Sequence, residues 1–164
     1  MMPELRISAV PPADILPLYH AIPEFDMPFG PAEIDQRLAH RPACALIAYS
    51  GGKPAGFKLG YGTEPELFYS WLGGVLPAYR QSGIAQRLLV AQEQWARAEG
   101  YHRLQVKTRN SFPGMLQLLI KNRYYVIGLE KKGPPLEYRL LLEKALHQQE
   151  TVRVTGVIPR PCHG

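Results

Sequence analysis

The segment from Leu67 to Gly100 constrains the fold more than any other, because its periodicity changes halfway along. The first part, Leu67-Phe-Tyr-Ser-Trp-Leu72, is rich in β-formers and leads into Gly73-Gly74-Val75-Leu76-Pro77. The second part carries Ile84, Leu88, Ala91, Trp95 and Ala98 at spacings of four and three, one apolar stripe of an α-helix that Gly100 stops. Strand, tight turn and helix therefore follow in that order. The turn holds Arg80, Gln81, Ser82 and Gly83 immediately before Ile84 and Ala85. At a helix start several backbone N–H groups have no intrahelical partner and the dipole presents its positive end, so the sequence predicts an anion site suited to phosphate. Gly83 lets a bulky diphosphate approach the backbone.

A chain of 164 residues has room for one domain with a proper core. We place that domain at residues 1–144 and a tail at 145–164. Hydrophobic residues at 46% and charged residues at 20% exclude the disordered class. No apolar run approaches the roughly 20 residues needed to span a bilayer. The start, Met-Met-Pro-Glu-Leu-Arg, lacks the pattern of a secretion signal, so a cytoplasmic protein with no membrane partner is expected. Cys44 and Cys162 have neither the number nor the spacing of a disulfide framework or metal site, so no metal is expected. The net charge of +5 suits an anionic ligand. Because Lys and Arg are scattered, without a basic run or interleaved aromatics, nucleic acid is not an expected partner.

Along the chain, Leu5 to Val10 alternates as a half-buried strand and ends at Pro11-Pro12. Short helices are expected over 14–20 and 32–41. The loop between them, 22–30, mixes Phe25, Met27 and Phe29 with Glu24 and Asp26, a combination that suits either a binding loop or an aromatic plug on the sheet. Gly51-Gly52-Lys53 predicts a hairpin between strands at 43–50 and 54–61. A strand at 102–108 follows the long helix through a crossover, which implies that it runs parallel to the strand at 67–76. A helix at 112–120 and a last hairpin, 125–130 with 136–142, complete the domain. Residues 151–158 alternate enough to predict an extra edge strand, one that pairs with a second copy of the chain to give a homodimer.

The spacing Arg80-x-x-Gly83-x-Ala85, with its lead-in Val75-x-Pro77-x-Tyr79-Arg80, resembles the acyl-CoA signature of the Gcn5-related N-acetyltransferase (GNAT) superfamily. The resemblance spans the first strand to Leu142, and its specific part lies in 72–110. It implies an α+β fold of α/β/α layers: a mixed, mostly antiparallel central sheet of six or seven strands, flanked by about four helices, with parallel central strands splayed at the acyl-CoA site. It further implies acetyl-CoA as co-substrate, held by Gly73, Gly74, Val75, Arg80, Gln81, Ser82, Gly83, Ile84, Ala85 and Asn110. The 22–30 loop, with Glu24, Phe25 and Asp26, would cover the acceptor amine.

The chain departs from the better-known members at two catalytic positions. Tyr69 stands where histone-modifying relatives keep a glutamate, and Leu119 stands where many members place a tyrosine acid. The Gly-Phe pair that usually ends the following helix is Arg123-Tyr124 here. Candidate bases are then Glu66, Glu24 and Asp26, and candidate acids are Tyr124 and Tyr69. The expectation is an acetyl-CoA-dependent N-acetyltransferase acting by direct attack of a primary amine of a small molecule or peptide. The alternative is a non-catalytic CoA-binding sensor or scaffold with the same fold.

Overall fold

The computed structural model describes residues 4–25 and 28–146. Four antiparallel strands come first in chain order and in space: β1 (Leu5–Val10), β2 (Ala43–Ser50), β3 (Lys53–Glu64) and β4 (Leu67–Val75). β5 (Arg103–Arg109) lies parallel to β4, β7 (Arg139–Ala145) antiparallel to β5, and β6 (Tyr125–Glu130) forms the far edge beside β7. The result is one mixed, mostly antiparallel sheet of seven strands in the order β1-β2-β3-β4-β5-β7-β6. Gly51 and Gly52, with φ of 58° and 86°, make the tight turn between β2 and β3. Two consecutive positive φ values are what a two-residue hairpin of this twist requires.

Four helices cover the sheet: α1 (Leu16–Ala21), α2 (Pro31–Leu38), α3 (Ile84–Ala98) and α4 (Pro113–Lys121). Strand alternation sends successive side chains to opposite faces. Ala45 and Ile47 of β2 and Phe57 and Leu59 of β3 meet Ile15, Leu18, Tyr19 and Ile34 on the α1 and α2 face. Leu46 of β2, Phe68 of β4 and Leu104 and Val106 of β5 meet Leu88, Leu89 and Leu119 on the α3 and α4 face. These are the expected α/β/α layers.

The structure moves three boundaries. The first expected helix is divided between a 3-10 turn at Pro12–Ile15 and α1, and the second ends at Leu38. The last strand begins at Arg139 instead of 136, because Pro135–Glu137 forms a 3-10 turn instead of extended chain. Order also continues past residue 144: Leu146 is buried and its N–H donates to the His102 carbonyl at 2.7 Å. The expected strand at 151–158 lies outside the described residues, as does Asp26.

Candidate active site

β4 and β5 pair at only four positions, from Leu67 opposite Arg103 to Ser70 opposite Val106. Past that point β4 continues against β3 alone, and β5 continues against β7 alone. A bulge begins the divergence: Leu72 faces Leu59 and Ser70 faces Gly60, which leaves Trp71 without a counterpart on β3. Trp71 and Leu72 then both pack on the α1 and α2 face. Bulges bend their strand and increase its twist, so β4 turns away from β5 here. The strand edge from Trp71 to Val75 carries backbone donors and acceptors that no neighbouring strand satisfies.

The chain then passes through a 3-10 turn, Pro77–Tyr79, to the start of α3. Gln81 and Gly83 adopt left-handed φ values of 61° and 83°. The amides of Gln81 to Gln86 have no hydrogen-bond partner among the described residues; the first bonded amide is that of Arg87, to the Gly83 carbonyl at 3.0 Å. A Cβ built on Gly83 meets nothing within 4 Å, so open space lies outside it. Unpaired amides in such alternating backbone form a concavity suited to anions. Ser82 uses its hydroxyl to close the turn, donating to the Tyr79 carbonyl.

Arg80 points elsewhere. Its Nη1 and Nη2 donate to the Glu24 carboxylate at 2.8 and 2.7 Å, and its Nε donates to the Val75 carbonyl at 3.0 Å. This fork ties the 22–30 loop to the end of β4. The hydrogen bonds from Arg80 hold the Glu24 carboxyl below its ordinary pKa, which weakens it as a base. The same loop rests on Gly74, where an added Cβ falls 2.8 Å from Ile22 Cδ1 and 3.4 Å from Phe25 Cε2. Phe25 in turn packs edge-on against Tyr19, with ring centroids 4.9 Å apart. The described part of this loop therefore acts as an aromatic plug over the strand edge.

Tyr69 faces the α1 and α2 side, half-buried, one residue before the last paired position, with its ring 5.7 Å from that of Tyr61. Burial, then the neighbouring Tyr61, raise its pKa, so at neutral pH its hydroxyl is a donor and not a base. Glu66 is exposed at the opposite end of β4. Four residues at about 3.3 Å each put it about 13 Å from Ser70, too far to serve a group at the opening. Tyr124 is buried in the core, where its hydroxyl donates to Glu93 Oε2 at 2.7 Å; Lys144 Nζ donates to the other oxygen at 3.0 Å. Burial pushes the Tyr124 hydroxyl up, and this bond makes it a strut joining the start of β6 to α3, with Lys144 adding β7 to the same carboxylate. Asn110 stands just beyond β5 at the open end, and its Nδ2 donates to the Pro135 carbonyl at 2.9 Å.

Lys58 and Ser70 are the site residues that spacing did not suggest. Lys58 is 5% exposed, and its Nζ donates to Ser70 Oγ at 3.0 Å. It runs beneath Gly73, whose added Cβ falls 3.1 Å from Lys58 Cγ. An ammonium therefore lies under the residue where β4 and β5 part. Burial pushes its pKa down to about 8, with the Glu93 carboxylate opposing the shift. The available signal was a single lysine inside the run Ala55 to Tyr61, opposite a glycine.

Parallel strands that part above an uncovered helix N-terminus leave room for an extended ligand that ends in a phosphate. The model of the Acetyltransferase (GNAT) family matches residues 14–119, and the chain belongs to that family. Membership brings acetyl-CoA-dependent acetyl transfer as the general chemistry. The ribosomal-protein-S18-alanine N-acetyltransferase from Escherichia coli is structurally similar, with a TM-score of 0.76 at 15% identity over 92% of this chain and 100% of that one. A GNAT family acetyltransferase from Elizabethkingia anophelis with acetyl-CoA bound has a TM-score of 0.68 at 21% identity, over 87% of this chain and 98% of that one. An acetyltransferase from Bacillus subtilis in complex with CoA has a TM-score of 0.69 at 18% identity, over 88% and 100%. No curated protein sequence matches the chain. Among the described residues there is no cluster of three or more His, Cys, Asp or Glu suited to a metal, and no helix is long and apolar enough to cross a membrane.

Proposed function

We propose that this chain is a cytoplasmic N-acetyltransferase that moves the acetyl group of acetyl-CoA onto a primary amine by direct attack. One observation carries the reading: the unpaired edge of β4 and the row of open amides from Gln81 to Gln86 follow one another in the chain. The amides, with the dipole of α3 behind them, suit the diphosphate. The free edge from Gly73 to Val75 suits the extended pantetheine arm and supplies an N–H for the carbonyl oxygen as it gains charge. Arg80 serves by shaping the site, since its donors hold Glu24 and Val75.

In the transfer, the neutral amine nitrogen bonds the carbonyl carbon, the carbon–sulfur bond breaks with its electron pair passing to the CoA sulfur, and the one proton the nitrogen sheds passes through water to that thiolate, releasing CoA. Glu24, tied to Arg80, is held below its ordinary pKa, so in this reading the amine arrives neutral or loses its proton to water. Tyr69, protonated, donates a hydrogen bond on the acceptor side. Acetyl-CoA supplies the activated acyl group.

Replacing Gly83 by Val tests the reading. The added Cβ meets nothing within 4 Å, but the residue must adopt a φ of 83°, costing about 1–2 kcal/mol of stability while its branches crowd the amides. Affinity for CoA, followed by calorimetry, should fall at least tenfold. Unchanged affinity removes the anion site, and CoA binding without thiol release on any amine favours the sensor reading instead. Dimerisation through 151–158 is supported by the exposed edge strand β6, with Tyr125 and Ile127 in the open. A chain cut after Leu146 should then be monomeric by light scattering.

A further inference from the structure

On the α2 side of the opening lies a depression of about 380 Å³, lined by Phe29, Glu33, Gln36, Arg37, Arg41 and Trp71. Trp71 is the first residue past the last β4 to β5 pair, so the depression borders the place where the strands part. An aromatic floor begins in its lining at Phe29 and Trp71 and continues beneath the surface through buried Tyr61 to Tyr69. Phe29 lies 5.4 Å from Trp71, Trp71 5.8 Å from Tyr61, and Tyr61 5.7 Å from Tyr69, between ring centroids.

Two guanidinium groups roof that floor. Arg37 Cζ stands 4.6 Å above the Trp71 ring, and Arg37 Nη1 donates to the Tyr61 hydroxyl at 3.1 Å. Arg41 Cζ stands 4.9 Å above the Tyr61 ring. Stacking uses the faces of these groups, and apart from Arg37 Nη1 their in-plane N–H donors have no side-chain hydrogen bond among the described residues, leaving donors of the kind that match a carboxylate. Neither has a carboxylate within 4.0 Å among the described residues. The single acid lining the depression, Glu33, holds the Gly30 N–H at 2.8 Å as the cap of α2. Glu24, which would otherwise add negative charge on this side, is matched by Arg80.

We propose that the acceptor is an amine that also carries a carboxylate and an apolar group. Arg37 and Arg41 take the carboxylate, Phe29 and Trp71 take the apolar body, and the amine points past Trp71 toward the opening. The substrate class follows from the acetyltransferase reading above and deepens it. A cationic polyamine, which the acids of the 22–30 loop alone would suggest, meets two like charges here.

Two measurements test this separately. In the first, 3-phenylpropionate, which has the carboxylate and the ring but no amine, is titrated while the Trp71 indole N–H is followed by NMR. A saturable shift is expected, at least tenfold weaker in the Arg37→Gln, Arg41→Gln double variant. No saturable shift in the wild type, or equal affinity in a folded double variant, overturns the proposal. In the second, thiol release from acetyl-CoA is compared for phenylalanine and its methyl ester. The wild type should favour the acid at least tenfold in kcat/KM, and the ratio should fall toward one in the double variant. Equal rates for acid and ester in the wild type overturn the proposal even if the variant fails to fold. Arginine-dependent binding of phenylpropionate with no thiol release from either acceptor upholds the carboxylate subsite and counts against the acetyl-transfer reading.

Discussion

Lys58 holds a charge where the surrounding chain is apolar, and its titration is the clearest residue-level consequence of the fold. The unfolded chain protonates it near 10.5 and the folded chain near 8, because burial disfavours the ammonium. Glu93 of α3 faces it as a carboxylate, and Cys44 of β2 faces it as a neutral thiol whose pKa burial raises to about 12. Ser70 of β4 accepts its hydrogen bond. Between pH 8 and 10.5 the unfolded state binds more protons, so this group's contribution to stability rises with pH across that window. Below it the whole cost is present, at most about 3 kcal/mol at about 1.4 kcal/mol per pKa unit. Lys58→Met should therefore be more stable than wild type at pH 7, by about 1–3 kcal/mol after the lost hydrogen bond to Ser70. That advantage should shrink by pH 10 in urea titrations, and a gap independent of pH sinks the assignment. Arg80 and Gly83 were legible from their spacing. The partner of Arg80 was not, because Glu24 lies 56 positions upstream and no local pattern couples them. For the same reason nothing local to Tyr124 predicts Glu93 at its hydroxyl, 31 positions away.

At the scale of elements, the opening depends on keeping the start of α3 at a fixed distance from the strands below it. Gln86, in the first turn of α3, and Asn122, just past α4, form a reciprocal amide pair: Gln86 Nε2 donates to Asn122 Oδ1 at 2.9 Å, and Asn122 Nδ2 donates back at 2.7 Å. The same Nδ2 reaches the Leu118 carbonyl at 2.8 Å and so caps α4. Asn122→Ala removes both partners of a half-buried Gln86 and should cost about 1–3 kcal/mol. It should also increase amide exchange across Arg87 to Ala91, the first hydrogen-bonded amides of α3, in the folded protein, whereas a stability loss without that local change places the effect in α4 alone. Alternation and turn residues predicted most strands, since period-two patterns and glycine pairs act over neighbouring positions. The crossover predicted β5 parallel to β4, but local patterns could not predict β7 on its other side, nor that the bulge at Trp71 would part the strands. Both depend on pairings between residues distant in sequence.

The whole molecule is two helical layers on one sheet, and each layer serves one substrate in the proposed reaction. α1 and α2 form the acceptor side over β2, β3 and β4, while α3 and α4 form the donor side across β2 to β7. Because β2, β3 and β4 contribute side chains to both apolar clusters, neither layer can be exposed without uncovering the sheet face that supports the other. Unfolding should therefore be a single transition. A ligand held by the amides of α3 then stabilises the acceptor layer as much as the donor layer, although it touches only one of them. At one hundred times its dissociation constant, CoA should add about 2.7 kcal/mol, which for a chain of this size raises Tm by about 5–10 °C. Calorimetry with and without CoA, monitored in parallel by a fluorophore near Tyr19 and another near Leu119, should show both probes moving together. If the Leu119 probe alone shifts, the layers are independent, and binding of acetyl-CoA has no route through the sheet to the 22–30 loop.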